Sequence, residues 1–142
     1  MSDKTAASLE AAVSDVRDGA TVMISGFGDA GMPHELVDAL LAQGATDLTI
    51  VSNNAGNGER GIAALLKAGR VRKVVCSFPR QADSHVFDGL YRSGRIELEL
   101  VPQGNLAERI RAARCWRRAR SLAASAAATM SSNIRSVRTW LW

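Results

Sequence analysis

DGATVMISGFGDAGMP, the stretch at residues 18–33, joins a short apolar run to a glycine-rich loop. The run at 21–24 has no polar alternation, which is typical of a parallel strand covered on both faces. Gly26, Gly28 and Gly31 follow at the spacing G-x-G-x-x-G. We therefore predict a buried strand, a tight loop and then a helix.

The same alternation of strand and helix continues to about residue 112. Each predicted strand is followed by a helix, and the strands recur about every 25 residues, a spacing that favours an open, mainly parallel α/β sheet. In such sheets ligands bind in the loops at the carboxyl ends of the strands. The predicted strands are 21–24, 48–51, 71–76 and 96–101, and the predicted helices are 6–16, 34–42, 59–68, 83–91 and 106–112.

The glycine loop at 25–31 would bring free backbone N–H groups to a helix N-terminus, where a phosphate or another anion can bind. A dinucleotide would also require an acidic residue at the end of the second strand. Asn53 and Asn54 lie there instead, and Asp47 precedes the strand. NAD binding is therefore not favoured, and the glycines could also serve only to shape the turn.

Polar residues in the other loops are candidates for ligand contact. Asn53 and Asn54 carry amides that both donate and accept, although such loops are often simple turns. Arg80 could meet a carboxylate or phosphate, or it could be solvated. Gln103 ends a predicted strand, and Asn105 is placed as a helix N-cap, so the Gln103 amide could be held toward a ligand or in a structural hydrogen bond.

Several functional classes find no support in the sequence. Cys76 and Cys115 have no CxxC spacing, and His34 and His85 are the only histidines, so we expect neither a disulfide framework nor a metal site. No G-x-S-x-G elbow or Walker lysine occurs. No signal core and no run of about 18 apolar residues is found, so we expect a cytoplasmic protein without a membrane span.

Four loop motifs together resemble a known family. They are DGATVMISGFGDAGMP at 18–33, SNNAG at 52–56, CSFPR at 76–80 and PQGNLAER at 102–109. This set resembles the A subunit of the 3-oxoacid CoA-transferases, most closely those that act on 3-oxoadipate. The resemblance runs in register over residues 1–113, and Ser25 replaces the glycine that the family usually has before Gly-Phe.

The resemblance implies a Rossmann-like CoA-transferase fold, here truncated, and ping-pong transfer of CoA from succinyl-CoA to a 3-oxoacid. A glutamate of a partner B subunit would form the glutamyl-CoA intermediate, so this chain would supply half of a site. The CoA thioester would be a substrate, with no permanently bound cofactor. By position, the resemblance implies that Gln103 supports the oxyanion and that Asn53 and Asn54 contact the substrate. It also implies a CoA-binding loop formed by Ser25, Gly26, Phe27, Gly28, Asp29, Ala30 and Gly31.

The composition changes abruptly after Ala113. Residues 1–113 have a net charge of −2 and all twelve glycines, whereas residues 114–142 have six arginines, no acidic residue and all three tryptophans. At this point the family continues Ala-Gly-Ala-Gly-Val-Gly. If suitable codons for that sequence are read one base out of frame, they translate as Arg-Cys-Trp-Arg-Arg, which is the sequence at 114–118. We therefore predict a frameshifted tail and an inactive chain. A basic arm for nucleic acid or another partner and a membrane-surface helix remain alternatives, although nucleic-acid binding is not favoured.

Overall fold

A computed structural model describes the backbone of residues 5–123 and the side chains of residues 5–113. This part of the chain alternates helix and strand throughout, as the sequence predicts. It contains no helix long and apolar enough to cross a bilayer. The elements are α1 Leu9–Val13, β1 Thr21–Met23, α2 His34–Gln43, β2 Leu48–Val51, α3 Ile62–Lys67, β3 Val71–Cys76, α4 His85–Arg92, β4 Glu97–Leu100 and α5 Gln103–Ala123.

The four strands form one parallel sheet in the order β1-β2-β3-β4. The predicted open α/β fold is thereby confirmed. Neighbouring strands are parallel, and the β2–β3 register shifts once, between Leu48 and Thr49. Beyond that shift, each row of paired residues lies on one face of the sheet. The first face carries the row Val22, Ile50, Val74 and Leu98, and the second face carries the row Met23, Val51, Val75 and Glu99.

The hydrophobic core lies between the first face and helices α1 to α4. Val13, Leu40, Leu65 and Phe87, one from each helix, belong to one cluster with the buried strand residues. The second face is only half-buried along β2, where the burial pattern alternates from Leu48 to Val51. The predicted cover on both faces is therefore only partial within residues 5–113, because four of the five helices pack on the first face and α5 alone lies on the second.

All five helices differ from the predictions at one or both ends, and two of their starts have a clear local cause. Helix α1 begins only at Leu9, because the Ser8 hydroxyl accepts from the Ala11 N–H and caps the helix. Helix α5 begins at Gln103, and Leu106 N already donates to Pro102 O at 2.9 Å. Asn105 thus lies inside the first turn, and its predicted role as N-cap is wrong.

Helix α5 continues past the predicted boundary at residue 113 and ends at Ala123. For residues 114–123 only this backbone course is described. The predicted frameshifted tail and the alternative basic arm depend on 114–142, whose side chains lie outside the described residues. Both therefore stay predictions.

Candidate functional site

An open cleft of about 250 Å³ lies at the carboxyl ends of β1 and β2, between the second face of the sheet and α5. This is the edge at which the parallel topology predicts a ligand. One wall is apolar and the other carries hydroxyl and amide groups. The residues that line it are Met23, Ile24, Ser25, Gly26, Val51, Ser52, Asn53, Gln103, Leu106 and Ile110.

Leu106 and an ion pair hold α5 against the second face of the sheet. The Leu106 side chain is buried, and Arg109 on the next turn reaches Glu99 of β4 at 2.6 Å. Lys73 of β3 binds the same carboxylate at 2.7 Å. Hydrogen bonds from Lys73 and Arg109 lower the pKa of Glu99. These contacts fix the α5 wall of the cleft.

The glycine loop at 25–31 reaches the cleft through its first two residues, Ser25 and Gly26. The Ser25 hydroxyl donates to Gly31 O at 2.9 Å and closes the base of the loop. Gly26 has a φ of +125°, a conformation that favours glycine, and a Cβ there would crowd Met32 N at 3.3 Å.

The tip of the glycine loop projects beyond the cleft. Phe27 and Ala30 exchange backbone hydrogen bonds of 2.9 and 3.2 Å across the tip, and the Phe27 side chain is 75% exposed. In the described part of the chain, the N–H groups of Gly26, Gly28 and Gly31 have no backbone acceptor. The loop therefore offers donors of the kind that bind phosphate.

The Asn54 side chain lies beneath the loops and is fully buried. Its Nδ2 donates to Gly28 O at 3.2 Å, and its Oδ1 accepts from Gly56 N at 2.8 Å. Both ends of the amide are thus used to join the first loop to the second. Substrate contact by Asn54 stays a prediction, and what the structure gives it is a supporting position.

Asn53, Ser77 and Gln103 bring three loops together at the cleft. Asn53 Nδ2 lies 3.2 Å from Ser77 Oγ and 3.1 Å from Gln103 Oε1, and the Ser77 hydroxyl donates to Gln103 Oε1. The sequence predictions named Asn53 and Gln103 but missed Ser77. The sequence feature that could have identified Ser77 is its position as the first polar residue after a buried parallel strand.

Two buried oxygen atoms of cleft-lining residues have no hydrogen-bond partner within residues 5–113. They are Ser52 Oγ and Asn53 Oδ1. Buried polar atoms are normally satisfied, so these two oxygens are unsatisfied polar groups next to the cleft. Ser52 was also missed, although it follows β2 directly as Ser77 follows β3.

Other predicted candidates lie away from the cleft. Arg80 is paired with Asp88 of α4 at 2.8 Å, and Asp47 pairs with Arg72 at the amino end of β2, at 3.2 Å. Asp29 of the glycine loop binds His34 Nε2 at 3.0 Å. Cys76 is buried, and desolvation raises the pKa of its thiol to about 11, so it is not a nucleophile. The described residues contain no group of three metal-ligating side chains.

Comparisons with known proteins give the same assignment as the loop motifs. Residues 6–114 match the family model described as coenzyme A transferase. The chain is 70% identical over 113 residues to the A subunit of 3-oxoadipate CoA-transferase from Pseudomonas putida, covering 80% of this chain and 49% of that protein. It is 46% identical over 101 residues to the mitochondrial succinyl-CoA:3-ketoacid coenzyme A transferase 2A of Rattus norvegicus. This match covers 71% of this chain and 19% of that protein.

The chain spans about half the length of the bacterial relative and a smaller share of the mitochondrial one. A solved acyl-CoA transferase, YdiF of Escherichia coli O157:H7, in a thioester complex with CoA, superposes with a TM-score of 0.55. Its sequence identity is 26%, and the match covers 68% of this chain and 20% of that one. The parallel fold, the loop motifs and the family match agree: this chain belongs to the coenzyme A transferase family.

Proposed function

We propose that this chain supplies the A-subunit side of a CoA-transferase site that moves CoA from succinyl-CoA to a 3-oxoacid, with 3-oxoadipate as the acceptor. The cleft at the carboxyl edge carries this proposal, because the glycine loop, Asn53 and Gln103 meet there. The name of the bacterial relative with 70% identity supports the choice of 3-oxoadipate. A CoA thioester acts as substrate, and no permanently bound cofactor is invoked.

The glycine loop is the proposed CoA-binding segment. The unpaired N–H groups of Gly26, Gly28 and Gly31 suit the phosphates of CoA, while the apolar wall at Leu106 and Ile110 suits its pantetheine arm. The reactive end of the thioester then lies near the amides of the cleft.

The nucleophile is proposed to be a glutamate of a B subunit, and no acidic side chain lines this cleft within the described residues. Its carboxylate attacks the thioester carbonyl and expels CoA as the thiolate, which leaves a mixed anhydride of the acyl group and the glutamate. The thiolate then attacks the glutamyl carbonyl, so that glutamyl-CoA forms and the acyl group leaves as a carboxylate. The acceptor acid takes CoA by the reverse steps. Gln103 donates a hydrogen bond to the negative oxygen that develops in each tetrahedral intermediate.

The 142-residue chain is proposed to have little or no transferase activity. The family match ends at residue 114, next to the change in composition. A frameshift near codon 113 accounts for this change, and resequencing the gene across that codon tests it. A read that restores a glycine-rich frame would settle the tail as out of frame, whereas a confirmed present sequence would leave the tail as a real variant. We place the reaction in the cytoplasm.

Binding of CoA to the full chain, measured by isothermal titration calorimetry, tests the proposed site. Gly26→Ala adds a Cβ 3.3 Å from Met32 N in a left-handed conformation, so the loop must shift. We expect binding at least about tenfold weaker, equivalent to two lost hydrogen bonds.

The matched control is Gly89→Ala, because Gly89 lies in α4 with nothing within 4 Å of the added Cβ. This variant is expected to bind CoA like the original chain. Equal affinities for all three proteins, or no binding by any, would refute the assignment of the loop. Ordinary turnover of the 142-residue chain with its B partner would refute its proposed inactivity.

A further inference from the structure

Ser77 lies behind the cleft rather than in its lining, yet it touches two residues that line it. Its hydroxyl is within hydrogen-bond distance of Gln103 Oε1, of Asn53 Nδ2 at 3.2 Å and of Asn53 O at 3.3 Å. The side chain is half-buried at the end of β3. Any effect of Ser77 on a ligand must therefore pass through its neighbours.

With the NH₂ of Asn53 facing Ser77 and Gln103, the hydrogen bonds of this cluster have one consistent direction. A serine hydroxyl has a single proton to donate. Asn53 O already accepts from Ser77 N at 3.2 Å and from Phe78 N at 2.9 Å, so both of its lone pairs are used. The Ser77 proton therefore goes to Gln103 Oε1, and Ser77 Oγ accepts from Asn53 Nδ2.

This direction determines which end of the Gln103 amide faces the cleft. Gln103 Oε1 accepts from the Ser77 hydroxyl and from Asn53 Nδ2, which fills its two lone pairs. The reversed amide would place its NH₂ against the NH₂ of Asn53, two donors without an acceptor. Within residues 5–113, Gln103 Nε2 donates to no other group, so both of its protons remain available.

We propose that Ser77 is a positioning residue that holds Gln103 with its NH₂ toward the cleft, where it donates to the carbonyl oxygen of a bound acyl thioester. This inference rests on the proposed function and adds a residue to it. Removing the Ser77 hydroxyl leaves Gln103 Oε1 with one donor, Asn53 Nδ2, so the amide is held less firmly. Asn53 Nδ2 also loses one of its two acceptors.

The test is nuclear magnetic resonance of the ¹⁵N-labelled full chain, with Gln103→Glu used only to identify the Gln103 side-chain NH₂ signals. In the free chain, Ser77→Ala is expected to shift these signals and speed exchange between the two protons. Ser77→Thr keeps the hydroxyl and is expected to preserve them. Unchanged Gln103 signals in Ser77→Ala, with the other backbone signals retained, would overturn the positioning role.

Two ligands separate this inference from the proposed function. CoA is expected to shift the backbone signals of Gly26 and Gly28, and succinyl-CoA is expected also to shift the Gln103 NH₂ signals, with roughly fivefold weaker binding in Ser77→Ala. Glycine shifts without a Gln103 response to succinyl-CoA would overturn the donor role alone. No glycine shifts with either ligand would contradict the proposed function, while the free-chain comparison still decides the role of Ser77.

Discussion

Gly56 tests the packing of the second loop against α3. Its φ is +93°, and a Cβ would lie 2.6 Å from Ala63 N and 3.0 Å from Ala63 Cα, both backbone atoms of a buried turn. The left-handed conformation costs a non-glycine residue about 1–2 kcal/mol, and overpacking costs about 1–3 kcal/mol more. Gly56→Ala should therefore lower the free energy of unfolding by about 2–5 kcal/mol.

Urea denaturation followed by far-ultraviolet circular dichroism measures this loss. The matched control is Gly69→Ala at the other end of α3, because Gly69 has a φ of +68° and nothing within 4 Å of the added Cβ. Gly69→Ala should lower the free energy of unfolding only by the cost of the left-handed conformation, about 1–2 kcal/mol. Equal losses in the two variants would refute the close approach of the loop to α3.

Three further predictions concern the core, the α5 anchor and the buried thiol. Leu106→Ala should cost about 2–4 kcal/mol of unfolding free energy by urea denaturation, because Leu106 is buried between α5 and the sheet; a loss below about 1 kcal/mol would contradict this packing. Lys73 and Arg109 lower the pKa of Glu99 below its ordinary 4.5. The stabilisation that Glu99 gives to the folded chain is therefore full above pH 4.5 and is lost as the pH falls through the pKa of Glu99 in the folded chain. Glu99→Gln should thus be less stable than the original chain at pH 7, by under about 1 kcal/mol, and the two should converge in acid; a constant difference would refute the ion pairs. Cys76, with its pKa near 11, should react with iodoacetamide only after unfolding, as measured on its peptide by mass spectrometry, and rapid native labelling would contradict its burial.

The strands were predictable because they are short apolar runs bounded by polar loops. Residues 48–51 and 71–76 are strands as predicted, and β1 ends one residue before its predicted limit. The number of layers was not predictable, because an apolar run reads the same whether one or both of its faces are covered. Thr21 and Met23 are half-buried because α1 to α4 pack on the other face and α5 leaves an open cleft on theirs.

The site was predictable at the level of loops but not of side chains. Parallel strands bring their carboxyl ends to one edge, so Ser25, Asn53 and Gln103 could be expected to meet there. Burial of Asn54 depends on the path of the second loop around it, which no local pattern reveals. Ser77 contacts Gln103 because α5 begins at Gln103, three residues earlier than the apolar periodicity indicates.

The most direct test of the account is whether residues 1–113 work as the first half of the A subunit of a CoA-transferase. They can be joined to the second half of the Pseudomonas putida relative, with which they share 70% identity, and co-expressed with the B subunit of that enzyme. The account predicts CoA transfer from succinyl-CoA to 3-oxoadipate by this complex, and a loss in kcat of about a hundredfold in its Gln103→Ala variant. An assembled complex that transfers no CoA, beside an active natural enzyme, would contradict it.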